Sequence, residues 1–304
     1  MKRDIISILD FKDDIEDIID YAIELKRKAK AGEPIDYLKG KTLAMIFEKS
    51  STRTRVSFEV AMQKLGGNAI FLSKNDIQLG RGETIEDTAR VLSRYVDAIM
   101  YRAYSHENMT ELAKYANVPV INGLDNEEHP CQVLADFMTV KEKKGRLKGL
   151  NFAYVGDGDN NMAHSYLLGC AMVGMNITIV SPKKYWPKRE YVEKAKEIAK
   201  GTKVEVTDSI DSLDRSIDVI ATDTWVSMGD EAEKEQRIKD FQGYTVDEKV
   251  MGRLKEDAIF LHCLPAYYGY EVTKEVAYGK QSVIFDEAEN RLWAQAALLV
   301  KILS

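Results

Sequence analysis

The run Phe47-Glu48-Lys49-Ser50-Ser51-Thr52-Arg53-Thr54-Arg55 places three hydroxyls and two guanidinium groups between Ser51 and Arg55. That is the chemistry of an anion site. Arg offers a bidentate fork to a phosphate or carboxylate, and hydroxyls add donors around it. The apolar stretch from Thr42 to Phe47 reads as a buried strand, and Val56, Phe58, Val60, Ala61 and Leu65 recur at roughly helical spacing. A helix opening at or near Ser51 would turn free N–H groups and the positive end of its dipole towards the anion. The simpler reading is a Ser or Thr cap followed by solvated arginines. A cap needs only one hydroxyl, however, and gains little from Arg at that end of the dipole.

Other polar segments also follow apolar runs. In His129-Pro130-Cys131-Gln132 the proline suits a first helical position, leaving His129 near the positive helix end. A neutral imidazole there donates to an oxygen as an electrophile, and Gln132 suits an amide or carbonyl. The alternative is a capping histidine. Val155-Gly156-Asp157-Gly158-Asp159-Asn160-Asn161 is a weak dinucleotide fingerprint. Asn161 stands where a third glycine belongs, and the next strand ends in Ser181-Pro182 instead of an acid. Its amides better suit a polar substrate. Asp223 opens Asp223-Thr224-Trp225-Val226-Ser227-Met228-Gly229 and is a partner for a cationic amine, or else the cap of a turn. In His262-Cys263-Leu264-Pro265 adjacent residues of a strand face opposite ways, so the pair is poor grounds for a thiol nucleophile.

The elements that position these segments alternate strand with helix. Strands are expected at 43–47, 69–72, 98–101 and 118–121, with helices near 53–65, 84–95 and 107–116. A long amphipathic helix is expected over 10–30, and another over 130–144. A second series follows the Gly145–Gly149 turn, with strands at 151–155, 177–180, 203–207, 219–221 and 259–261, and a last helix over 289–303. This predicts an α/β protein with mainly parallel sheets and right-handed crossovers. Functional groups in such sheets lie past the carboxyl ends of the strands. That rule selects Ser51–Arg55, Asn75–Glu83, Arg102, His129–Gln132, Gly156–Asn161, Asp223–Gly229 and His262–Pro265 as loops of one cleft.

The 304 residues, 45% hydrophobic, suffice for two α/β cores. A net charge of −6 argues against a nucleic-acid surface and makes the local basic cluster a site for a small anion. Cys131, Cys170 and Cys263 are too dispersed for a disulfide framework or a cysteine metal site. Asp10, Asp13 and Asp14 argue against a signal peptide. The charge-free stretch 165–182 is broken by Gly169, Gly174 and Asn176 and reads as helix, turn and strand, not a membrane span. A cytoplasmic protein is expected.

Taken together these segments resemble the ornithine carbamoyltransferases over essentially the whole chain. Ser51-Thr52-Arg53-Thr54-Arg55 and His129-Pro130-Cys131-Gln132 match the two motifs of the carbamoyltransferase superfamily. Asp223 with Ser227-Met228-Gly229, and His262-Cys263-Leu264-Pro265, match the ornithine branch. The resemblance implies two doubly wound domains, residues 1–147 for carbamoyl phosphate and 148–285 for ornithine, with helix 286–304 packing back on the first. It implies that Ser51, Thr52, Arg53, Thr54 and Arg102 hold the phosphate and carbonyl. His129, Gln132 and Arg291 would contact the carbamoyl end, and Gln78 would reach a neighbouring subunit's site. Asn161, Asp223, Ser227 and Met228 would bind L-ornithine, with Cys263 and Leu264 lining the place of attack. It further implies a homotrimer with shared sites, open to higher assembly, and chemistry without metal or cofactor. Ala266-Tyr267-Tyr268-Gly269 departs from the basic residues of many relatives. Rival readings are carbamoyl transfer to putrescine or aspartate, a non-catalytic anion sensor, and a dehydrogenase.

Overall fold

The computed structural model describes residues 2–199, 201–227 and 229–304. Residues up to Met138 together with Ala288–Ser304 form one compact unit, and Thr139–Glu287 form a second.

In the first unit, helix α1 (Ile15–Lys30) buries Ile15, Ile18, Ile19, Ala22 and Leu25 at the spacing of one helical face. It is shorter than the sequence suggests. Ile8–Phe11 forms a separate 3-10 turn, capped by the Ser7 side chain, before the chain enters the helix at Asp14. Strand β1 (Thr42–Phe47) leads to α2 (Thr52–Lys64), β2 (Asn68–Ser73), a 3-10 turn at Gln78–Arg81, and α3 (Ile85–Leu92). Strand β3 (Ala98–Arg102), α4 (His106–Tyr115) and β4 (Val120–Leu124) follow. The strands pair in parallel in the order β2-β1-β3-β4. Leu43–Phe47 and all of β3 are buried, as a sheet covered on both faces requires. Each fully buried Leu, Ile or Phe contributes about 1.5–3 kcal/mol before entropic costs.

Helix α5 (Pro130–Lys144) runs unbroken past Met138. The second unit continues with β5 (Asn151–Val155), α6 (Asn161–Val173), β6 (Asn176–Val180), α7 (Arg189–Ile198), β7 (Val204–Thr207) and β8 (Val219–Thr222). Short helices α8 (Lys234–Asp240) and α9 (Glu248–Arg253), strand β9 (Ile259–His262) and helix α10 (Lys274–Ala277) complete it. Its parallel order is β7-β6-β5-β8-β9. The charge-free stretch is indeed helix, turn and strand. The last helix, α11 (Ile284–Leu303), begins five residues earlier than expected, because Asp286 and Glu287 occupy its first turn. Arg291 therefore lies about two turns inside it. Among the described residues no helix is long and apolar enough to cross a membrane.

Each sheet reverses its winding once: between β1 and β3 in the first unit, and between β5 and β8 in the second. Crossovers leave to opposite sides at such a point, so the loops beyond the strand ends part and leave room for a ligand. The Ser51 and Arg102 segments flank one switch point. The Gly156–Asn161 and Asp223–Gly229 segments flank the other.

Candidate active site

In the first unit the side chains gather on the Thr54 hydroxyl. Ser51 precedes α2 in extended conformation, and its Oγ accepts from Thr54 N at 3.2 Å, so the capping role weighed against an anion site is real. The same Ser51 hydroxyl donates to Thr54 Oγ1 at 3.1 Å. Arg102 Nη1 donates to Thr54 Oγ1 at 3.4 Å, and Arg291 Nη2 donates to it at 3.3 Å. Arg102 is delivered by a local irregularity. The β3–β4 register shifts between Tyr101 and Arg102, where Gly123 packs so closely that a Cβ would lie 2.4 Å from Met100 Sδ. A side chain at 123 would force the Met100 side chain to move and would crowd the Tyr101 carbonyl, 3.2 Å away, one residue before Arg102.

Arg291 also donates to Gln132 Oε1, while Gln132 Nε2 donates to Asp136 Oδ1 at 2.8 Å. With the Gln295 amide oxygen turned to the guanidinium, it accepts from Arg291 Nη2 at 3.0 Å and Nε at 3.2 Å, and its NH2 donates to Ser57 Oγ at 2.6 Å. Asp136, Ser57 and Gln295 did not figure among the sequence candidates. The signal was there: Asp136 and Gln295 sit four residues after Gln132 and Arg291, on the same helix faces.

His129 caps the start of α5, its carbonyl accepting from Gln132 N at 3.1 Å. Burial holds its imidazole well below the usual range, and Arg291, Arg102 and Arg53 push it further the same way. It is a neutral ring among guanidinium groups. Arg53 is half-buried and Thr52 exposed at the first turn of α2. A cavity of about 440 Å3 opens beside them, walled by Val56, Ser57, Leu292 and Trp293. Cys131 of the same motif packs at 0% exposure with its thiol pushed up to about 12, so it is inert. Gln78 lies exposed on its 3-10 turn and takes no part in the hydrogen bonds around Thr54.

The second unit has the opposite character. Asp223, just past β8, is 9% exposed. Its Oδ1 accepts from Thr224 N at 2.7 Å and from Cys263 Sγ at 3.2 Å. Among the described residues nothing donates to Oδ2, which leaves that oxygen for a cation. Burial raises the Asp223 pKa; His262, the Cys263 thiol and the Thr224 N–H work against that rise, and Glu271 adds to it. Asn161 is the first residue of α6, and Ser227 sits in the loop after β8, its carbonyl accepting from Asp230 N. Met228, also expected to bind substrate, lies outside the described residues. The loop is tied down by Arg237, whose Nη1 meets Asp157 Oδ2 at 2.6 Å and Trp225 O at 3.2 Å. One guanidinium thus joins the Gly156–Asn161 segment to the base of the Asp223–Gly229 segment.

Asp223, His262 and Cys263 have donor atoms within 4.8 Å of one another. The imidazole is committed elsewhere: Nδ1 accepts from Leu264 N at 2.9 Å and Nε2 faces Glu271 Oε1 at 3.2 Å. A thiol and one carboxylate fall short of the four ligands of a structural zinc site. The thiol donates to Asp223 and both nitrogens of the adjacent His262 ring are engaged elsewhere, so His262 and Cys263 are no nucleophile pair. Leu264 is half-buried at φ 60 in the turn that presents Cys263. In the departing segment Ala266 packs partly buried against the core while Tyr267 and Tyr268 are exposed, the Tyr268 ring 6.0 Å from that of Tyr278.

Comparison with known proteins accounts for both halves. Residues 3–142 match the family model described as the carbamoyl-P binding domain of aspartate/ornithine carbamoyltransferase. Residues 148–302 match its Asp/Orn binding domain. An ornithine carbamoyltransferase of Methanosarcina mazei is 54% identical over 304 residues, covering 100% of both chains. A protein of Thermoplasma acidophilum named "Ornithine carbamoyltransferase, catabolic" is 52% identical, over 100% of this chain and 99% of its own. The solved structure of the ornithine carbamoyltransferase from Pyrococcus furiosus superposes with a TM-score of 0.95 at 49% identity, covering 99% of this chain and 97% of that one.

Proposed function

This chain belongs to the ornithine carbamoyltransferase family, and on that footing we propose that it transfers the carbamoyl group of carbamoyl phosphate to the δ-amine of L-ornithine, giving L-citrulline and phosphate. The observation that carries the reading is the cluster on Thr54. Two buried guanidinium groups, a hydroxyl and a neutral imidazole form a preorganised set of donors for an oxyanion.

The neutral δ-amine attacks the carbonyl carbon, a tetrahedral intermediate forms, and collapse expels phosphate as the C–O bond breaks. Thr54, Arg102 and His129 polarise the carbonyl oxygen, each donor lowering the barrier by about 2.7–4 kcal/mol. His129 serves as a donor because it is neutral: one ring nitrogen carries a proton without adding a titrating charge. Ser51, Thr52 and Arg53 hold the phosphate, and Arg53 offsets the charge that builds on it. Gln132 and Arg291 orient the carbamoyl end. To bind the carbamoyl amide, the Gln132 oxygen must share with, or leave, the Arg291 bond. Asp223 receives the α-amino group at Oδ2, while Asn161, Ser227 and Met228 hold the rest of ornithine. Cys263 and Leu264 line the amine's approach. The amine must lose a proton, so activity rises towards alkaline pH.

Residues 1–147 with helix 286–304 would serve carbamoyl phosphate and residues 148–285 ornithine. The working form would be a cytoplasmic homotrimer in which Gln78 reaches a neighbour's site. One assay tests the reading: citrulline formation with ornithine, against product formation with putrescine or aspartate. Product from putrescine or aspartate alone would assign a different amine, and no product from any would favour an anion sensor.

A further inference from the structure

Tyr154 is a large polar side chain buried at the switch point of the second sheet, and the proposed reaction leaves its chemistry unused. It stands on β5, opposite Ala221 of β8, at 0% exposure. Its phenol oxygen accepts from Asn160 Nδ2 at 3.0 Å. The direction of that bond is fixed, because Asn160 Oδ1 is already engaged as the cap of α6, accepting from Ala163 N at 2.8 Å. The phenol is therefore an acceptor towards Asn160, and its own proton points elsewhere. Among the described residues no acceptor takes it.

Gly156 is a second neighbour of the phenol. Its φ is 142, and a Cβ there would meet Thr222 Oγ1 at 3.5 Å, the Tyr154 hydroxyl at 3.6 Å and the Asp223 carbonyl at 3.7 Å. The phenol and the Asp223 backbone thus flank the same glycine. Charges around the phenol tell the same story: burial raises its pKa most, then the anions of Asp223 and Asp157, with Cys263 last and Asn160 opposing.

We propose that Tyr154 is a positioning residue for the amino-acid substrate, holding Asn160, and with it Asn161, at the start of α6 while its hydroxyl proton supports the ionised form of Asp223. The inference rests on the reading that Asn161 and Asp223 bind ornithine. No direct hydrogen bond joins Tyr154 to Asp223, so the dipole acts through space.

Tyr154→Phe removes one oxygen and preserves the ring's packing against Tyr166, 5.8 Å away. The expected result is a rise of roughly tenfold in the KM for ornithine, with the KM for carbamoyl phosphate unchanged. The acid limb of kcat/KM for ornithine should move to higher pH. A carboxyl carbon NMR titration should show the Asp223 pKa displaced further upward, whether or not ornithine is the substrate. A hydroxyl that merely braces the helix cap would lower the thermal midpoint and leave both KM values and the Asp223 titration where they were; that result overturns the proposal. Should Tyr154→Phe fail to fold, Asn160→Ser keeps a capping hydroxyl and drops the amide. It should raise the KM for ornithine alone, and equal effects on both substrates would overturn the proposal. If the wild-type protein makes no citrulline, the functional reading fails, and the Asp223 titration still decides the role of Tyr154.

Discussion

The two units solve the same architectural problem and reach opposite electrostatic ends. Each is a parallel sheet with one reversal of winding, and each carries candidate side chains on the segments flanking that reversal, joined by others from later elements: His129 before α5 and Arg291 in α11, and Cys263 after β9. At β1/β3 the groups are Arg53, Arg102, Arg291 and an imidazole kept neutral. At β5/β8 they are Asp223, Asp157 and a thiol that donates to a carboxylate. The sheet contributes position and leaves the sign of charge to the loops. In the proposed reading, a phosphate dianion and a cationic amino acid are sorted by two copies of one plan.

The contrast breaks most severely at Arg53. Arg53→Ala should cut kcat by about 10²–10³-fold with carbamoyl phosphate saturating, as loss of a transition-state donor does. Near-native turnover in steady-state assays would remove Arg53 from that role. Next is Asp223→Asn, which keeps shape and removes the charge. The KM for ornithine should rise roughly 10–100-fold, since a charged hydrogen bond is worth about 1.5–3 kcal/mol. Calorimetry should find carbamoyl phosphate binding unaltered. Because burial raises the Asp223 pKa, ornithine binding by the wild type should weaken as pH falls through that raised value, at higher pH than for an ordinary carboxylate.

A smaller effect tests the acid beside the cationic site. Glu128 accepts from Ile8 N at 2.8 Å, and burial pushes its pKa up to about 7. A carboxyl raised on folding adds stability below its unfolded value, and that contribution is lost as pH rises through the folded one. Glu128→Gln keeps an acceptor and cannot ionise. It should be more stable than wild type at pH 8, by at most about 3 kcal/mol, with the advantage gone near pH 4.5. Thermal melts at both pH values check this. The smallest expected effect is none: between pH 8 and 6 the His129 ring signals should stay flat in proton NMR. His106, raised by its bond to Asp125, should titrate above the ordinary histidine value in the same spectra.

Much of this was legible in the chain because it is local. Hydroxyls and arginines directly after an apolar run locate the first switch-point loop, and Asp223 after β8 locates the second. What escaped depends on distance in sequence. That Arg291 meets Thr54 is a pairing across more than two hundred residues, invisible until α11 packs. Ser51 was read as a choice between cap and ligand, yet one hydroxyl accepts from an N–H and donates to Thr54 at once. The helix starts at α1 and α11 moved because acidic residues set the first turn in each case, and apolar periodicity alone does not mark caps. Tyr154 was hidden inside a strand that reads as plain core.

The discontinuity of the first unit has a consequence for synthesis. Arg291 and Gln295 belong to it, yet the ribosome adds them only after the whole of Thr139–Glu287. A nascent chain can build the β2-β1-β3-β4 sheet early, but its anion site lacks a guanidinium until the final helix emerges. The growing polypeptide therefore cannot hold carbamoyl phosphate in the proposed manner before its amino-acid half exists.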